Sequence, residues 1–129
     1  MSKFFLVIAA ILGALSVALG AFAAHSLRKI VPADTISTFE TGVRYQFFHT
    51  QVLLAVGILL ERSQLRALIW AGYCFLTGII LFSGSLYLLT VLKATQNEGM
   101  NSIGLLTPIG GLFLIAGWIL LLIGILKKT

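Results

Sequence analysis

The sequence predicts an all-α integral membrane protein, a four-transmembrane-helix bundle filling residues 1–129 as one domain, with a polar, amphipathic connection between its first and second helices. Three observations predict it. Apolar runs cover residues 4–24, 45–60, 67–92 and 104–126, each near the roughly 20 residues that a helix needs to cross about 30 Å of hydrocarbon. Hydrophobic residues make up 59% of the chain and charged residues only 10%, too few charges to cover a soluble domain of this size. The nine Lys and Arg residues sit at the ends of the runs, where cations anchor helices at lipid headgroups, and form no patch suited to nucleic acid.

The first run opens after Lys3 and carries small residues in register: Ala9, Gly13, Ser16, Gly20 and Ala24, with Ala10, Ala14 and Ala18 on a second line. Small side chains let helices approach closely where lipid supplies no hydrophobic drive for association, so this helix is expected to be central and contacted on more than one side. The run also imitates a secretory signal ending in small residues, but its length and the three later spans favour a retained helix. His25, Arg28 and Lys29 form a basic exit suited to the helix C-terminus. Pro32 stops that segment, and Asp34 is a good N-cap for a helix starting near residue 35 that runs on into the second span.

The second span is polar in its first half. At 100° per residue, Glu40, Arg44 and Gln51 fall within about 40° of one another, and Gln46, His49 and Thr50 occupy roughly the opposite side. A half-helix polar on both faces is costly in lipid, so neighbours must cover both faces or this half must lie among headgroups. The link at residues 61–66 is short and makes the next two helices antiparallel neighbours. The third span places Ala71, Gly78 and Ser85 at seven-residue intervals and carries Ser83, Gly84 and Tyr87. Residues 93–103, with Asn97, Glu98 and Gly99, read as a turn-rich loop. In the fourth span Thr107-Pro108 opens or kinks the helix, and Gly110, Gly117 and Gly124 form a heptad stripe interrupted by Trp118. Helix packing is thus expected at Gly13, Gly20, Gly78, Gly84, Gly110, Gly117 and Gly124.

With four spans both termini share a side. Five Lys and Arg residues lie on that side and four on the other, a narrow bias that places the termini in the cytoplasm. Cys74, alone, offers neither a disulfide nor a metal site and is expected to be packed.

Four stretches in order, residues 20–25 (GAFAAH), 39–49 (FETGVRYQFFH), 81–87 (LFSGSLY) and 107–111 (TPIGG) followed by Gly117-Trp118, resemble domain-of-unknown-function family 423, small four-helix inner-membrane proteins. The resemblance spans nearly the whole chain. It implies a multi-pass protein of the bacterial inner (plasma) membrane and carries no reaction. One departure is Ala23 where the family's first motif has glycine, which implies slightly looser helix contact there.

The residues supply no paired carboxylates, no nucleophile beside a base and no phosphate loop, so no enzyme, cofactor or metal is expected. A polar layer near one membrane face is the candidate centre: His25, Glu40, Arg44, Tyr45, Gln46, His49, Ser83, Ser85 and Thr107. Glu40 and Arg44, four residues apart, are expected to pair. The leading reading is a non-enzymatic structural or interaction component, homo-oligomeric, with the lipid bilayer and other membrane proteins as partners. The alternatives are a small transporter or channel using the polar half of the second helix, and a haem- or quinone-binding protein through His25 and His49.

Overall fold

The computed structural model describes residues 1–96 and 101–127. Within them the chain forms four helices and two short 3-10 turns: α1 (Ser2–Ala24), a turn at Leu27–Lys29, α2 (Ala33–Arg62), α3 (Arg66–Ala94), a turn at Asn101–Leu105, and α4 (Leu106–Lys127). All four helices are long and apolar enough to cross a membrane. The loop reading at Asn97, Glu98 and Gly99 lies outside the described residues.

Local chemistry sets the boundaries. Pro32 is the N-cap of α2 in place of Asp34, at φ −69° and ψ 167°. Its fixed φ directs the chain into the first turn, and its carbonyl accepts from the Thr35 and Ile36 amides at 3.1 Å each. Asp34 stands inside that turn, where its charge complements the helix dipole and its Oδ1 accepts from the Thr35 amide at 2.9 Å. Pro108 occupies the third position of α4, where no amide has an intrahelical partner, so Thr107-Pro108 opens the helix.

Helices pack in chain order, α1 on α2, α2 on α3 and α3 on α4. The expected central position of α1 is therefore corrected. Only Phe5, Ala9, Ser16 and Ala23 of α1 are buried, and the line Ala10, Ala14 and Ala18 is exposed. A small-residue line permits close approach but does not supply a neighbour. α2 and α3 instead form the middle of the row. Their core joins Phe5 and Ala9 to Leu53, Val56, Leu60, Leu68, Phe75, Ile79, Leu114 and Leu121. A second cluster around Ala23, Leu27, Val31, Ile36 and Phe39 closes the other end; Ala23 is 1% exposed, so its extra methyl is packed and not loose.

The α3–α4 seam is the tightest. A Cβ on Gly78 would lie 2.5 Å from Leu114, on Gly117 2.8 Å from Phe75, and on Gly124 2.5 Å from Leu68. Gly110 meets the Phe82 main chain itself. Gly13 and Gly20 make ordinary contacts with Thr50 and Val43 at 3.8 and 3.7 Å. Gly84 has nothing within 4 Å and takes no part. Gly42, Gly57 and Gly72, absent from the sequence-based set, are buried against Tyr87, Leu6 and Phe5.

Candidate functional site

The depth of each polar group follows from the α1–α2 register. Phe22, near the end of α1, meets Phe39 with ring centroids 6.0 Å apart. At the other end the Ser2 hydroxyl donates to the Gly57 carbonyl at 2.8 Å. Gly13, midway along α1, faces Thr50. Residues 39–57 of α2 thus run alongside the whole first span, and Gln46, His49 and Thr50 lie near mid-membrane. The expected layer near one face is displaced inward, because α2 stands deeper than its apolar run suggested.

There the groups are spent on one another. The Gln46 amide donates from Nε2 to the Leu12 carbonyl on α1 at 3.1 Å, and its Oε1 accepts from the Tyr87 hydroxyl on α3 at 2.6 Å. One side chain on α2 therefore ties three helices. The Ser16 hydroxyl donates to the same Leu12 carbonyl at 2.8 Å. The Ser83 hydroxyl donates to the Gly42 carbonyl at 2.6 Å, a second α3–α2 bond. Gln46 is 2% and Ser83 1% exposed, so each bond replaces water that lipid and protein have excluded.

His49 links α2 to α4. Its Nδ1 lies 2.8 Å from the Tyr45 carbonyl, and a carbonyl only accepts, so Nδ1 carries the proton. Nε2 then accepts from the Trp118 indole N–H at 3.1 Å. Both contacts are satisfied by the neutral Nδ1–H tautomer alone, since a proton on Nε2 would oppose the indole N–H. The Trp118 and Phe75 rings pack edge-on at 5.5 Å, and the Tyr45 ring stacks on His49 at 5.9 Å. Ser85 on α3 hydrogen-bonds Thr107 at the start of α4, a separate tie between those two helices. The Thr50 hydroxyl is buried with no partner among the described residues.

Of the sequence-derived candidates, Gln46, His49, Ser83, Ser85 and Thr107 thus enter helix–helix contacts, as does Tyr45, whose ring centroid lies 4.4 Å from that of Phe82 on α3. His25 does not: it is exposed beyond the end of α1. Phe39 marks that level, and His49 lies ten residues further along α2, about 15 Å at 1.5 Å per residue. The two histidines are not level, and the Nε2 lone pair that a metal or haem would need is already bonded. Among the described residues no group of three or more His, Cys, Asp and Glu gathers. The Glu40–Arg44 pair also fails to form: the only ion pair among the described residues joins Lys93 and Asp34 at 3.8 Å. Glu40 is half-buried and Arg44 exposed. The sequence-based layer does not include Ser16 or Trp118, and Tyr87 is read there only beside Ser83 and Ser85 on the third span, although a Trp or Tyr donor inside an apolar span signals that an acceptor must be near.

Two clefts flank the His49–Trp118 bond, about 530 Å³ on the side of Gln51 and Leu121 and about 440 Å³ on the side of Tyr45 and Phe82. Their walls are apolar apart from Tyr45, His49, Gln51 and Trp118, and both open outward.

Four membrane-length helices joined in chain order by buried side-chain ties define a small polytopic membrane protein. The chain belongs to the family described as "Protein of unknown function (DUF423)", whose model matches residues 19–111. It is 37% identical over 126 residues to the UPF0382 inner membrane protein YgdD of Escherichia coli K12, covering 98% of this chain and 92% of the relative. It is 38% identical over 125 residues to the UPF0382 membrane protein SSP2132 of Staphylococcus saprophyticus, covering 97% and 98%. The UPF0382 membrane protein YwdK of Bacillus subtilis is 37% identical over 126 residues, covering 97% and 98%. No solved structure matches.

Proposed function

We propose that the protein is a non-enzymatic component of the bacterial inner (plasma) membrane that acts by binding other membrane proteins and copies of itself, with its polar core serving as a structural tie. One observation carries this reading. At mid-depth Gln46 uses both ends of its amide on neighbouring helices, and His49 uses one ring nitrogen on the Tyr45 carbonyl of its own helix and the other on Trp118 of α4, which leaves neither free to relay a proton or hold a ligand. The polar cost of the second span is offset by helix association. Purified protein reconstituted in liposomes should pass protons, Na⁺ and K⁺ no faster than empty vesicles and show no Soret absorbance. A flux abolished by His49→Ala would replace this reading with a transporter, and a Soret band would replace it with a haem carrier.

The bias of basic residues supports cytoplasmic termini in this reading. Single cysteines at Lys3 and Gln64 should label from the cytoplasm and one at Asp34 from outside; the opposite pattern reverses the orientation.

A further inference from the structure

Among the polar side chains of the second span, Gln51 is the anomaly. It lies one residue past Thr50, which faces the midpoint of α1, yet Gln51 is exposed on the outer surface. Its immediate surroundings on that face are Phe47, Phe48, Leu54 and Ile58, all large apolar groups exposed by 42–55%. A primary amide with two donors and an acceptor is therefore presented to hydrocarbon near the centre of the bilayer. Arg44, about two turns nearer the membrane face, can extend its side chain toward headgroups. Gln51 cannot: it is 18 residues from one end of α2 and 11 from the other, well beyond the reach of a side chain this short.

We propose that Gln51 marks the face through which two copies of this chain pair, with α2 against α2 around a two-fold axis along the membrane normal. This deepens the self-association named above. Copies inserted with the same orientation hold like residues at like depths, and a two-fold axis brings the same patch of each together. An amide is self-complementary, its N–H meeting the carbonyl oxygen of its equivalent, so a second copy satisfies Gln51 at the required depth. Charge supports the same occupant. Glu40, Arg44 and Gln51 share one side of α2, and Glu40 and Arg44 make no ion pair among the described residues although they are one turn apart. Across the axis the Arg44 of each copy lies one helical turn, about 6 Å of rise, from the other's Glu40, within reach of its long side chain, so two opposite charges can be matched twice. The cleft of about 530 Å³ beside Gln51 offers a recess for the bulky side chains that flank it.

The test uses the full-length chain in a Cys74→Ala background, labelled and reconstituted in lipid vesicles, with association read by energy transfer against lipid dilution. Wild-type protein should dimerise, and Gln51→Leu should weaken the dimer about fivefold or more, the scale of one membrane-embedded hydrogen bond. Arg44→Glu should weaken it too, and adding Glu40→Arg should restore it. Oxidative cross-linking should trap dimers through Ala55→Cys and not through Val17→Cys on α1. A monomeric wild type, a Gln51→Leu dimer of unchanged strength, or cross-linking through Val17→Cys alone would each overturn the proposal. Gln51→Leu alters an exposed position, so an unchanged unfolding midpoint separates lost pairing from lost folding. Failure here leaves the flux and absorbance results, and hence the reading as a non-enzymatic component, untouched.

Discussion

Adding one methyl at Gly110 should separate the two halves of the α3–α4 seam, and the same methyl at Gly84 should do nothing. A Cβ on Gly110 would stand 2.8 Å from the Phe82 Cα and 2.9 Å from the Leu81 carbonyl carbon. These are main-chain atoms in the middle of α3, which cannot rotate away as a leucine tip would. The Phe82 nitrogen is closer still, so to restore ordinary contact, which begins near 3.4 Å, the helices must move apart by about 1 Å locally. A gap of that size forfeits about a quarter or more of each dispersion contact along the seam, and overpacking of this kind costs about 1–3 kcal/mol. Gly→Ala also raises helix propensity by up to about 1 kcal/mol, which would blur a comparison with wild type. Gly84 lies mid-helix in α3 with open space around it, so Gly84→Ala carries the propensity gain without the clash. The difference between the two variants isolates packing, and we expect Gly110→Ala to be less stable than Gly84→Ala by about 2 kcal/mol. The measurement is equilibrium unfolding in mild detergent micelles by titration with a denaturing detergent, followed by tryptophan fluorescence. If the two variants unfold within about 0.5 kcal/mol of each other, below the range expected of overpacking, the close approach at Gly110 does not hold the bundle together.

The tie through Gln46 should appear as coupling. In a cycle of Gln46→Leu and Tyr87→Phe the pair should show an interaction of about 0.6–1.7 kcal/mol, the range of membrane-embedded hydrogen bonds, and additive losses would mean that the 2.6 Å contact contributes nothing. Thr50→Val replaces an unpartnered buried hydroxyl by a methyl and should leave stability unchanged or raise it by up to about 1 kcal/mol; a clear loss on the same unfolding titration would show that the hydroxyl has a partner in the bilayer.

What the sequence determined by itself is the class, the span count and the kinds of residue that had to meet. Spans are legible because a helix satisfies its own backbone, so length and apolarity suffice without knowledge of any neighbour. The stripe Gly110, Gly117 and Gly124 was legible for a related reason: a seven-residue repeat of small groups fixes one face of one helix. The tertiary structure decided which faces acquire neighbours. Ala10, Ala14 and Ala18 repeat as regularly as the glycines of α4, yet they remain exposed, since periodicity describes a surface and not what covers it. Glu40 and Arg44 had the spacing of a pair and did not pair. Gln46 and His49 were placed near one face because the apolar run begins at residue 45, whereas contact with α1 sets their depth at the middle. Register between helices is a long-range quantity, fixed by the meeting of Phe22 with Phe39 and of Ser2 with Gly57. That register is also what leaves Gln46 covered on one side of α2 and Gln51, five residues later, bare on the other.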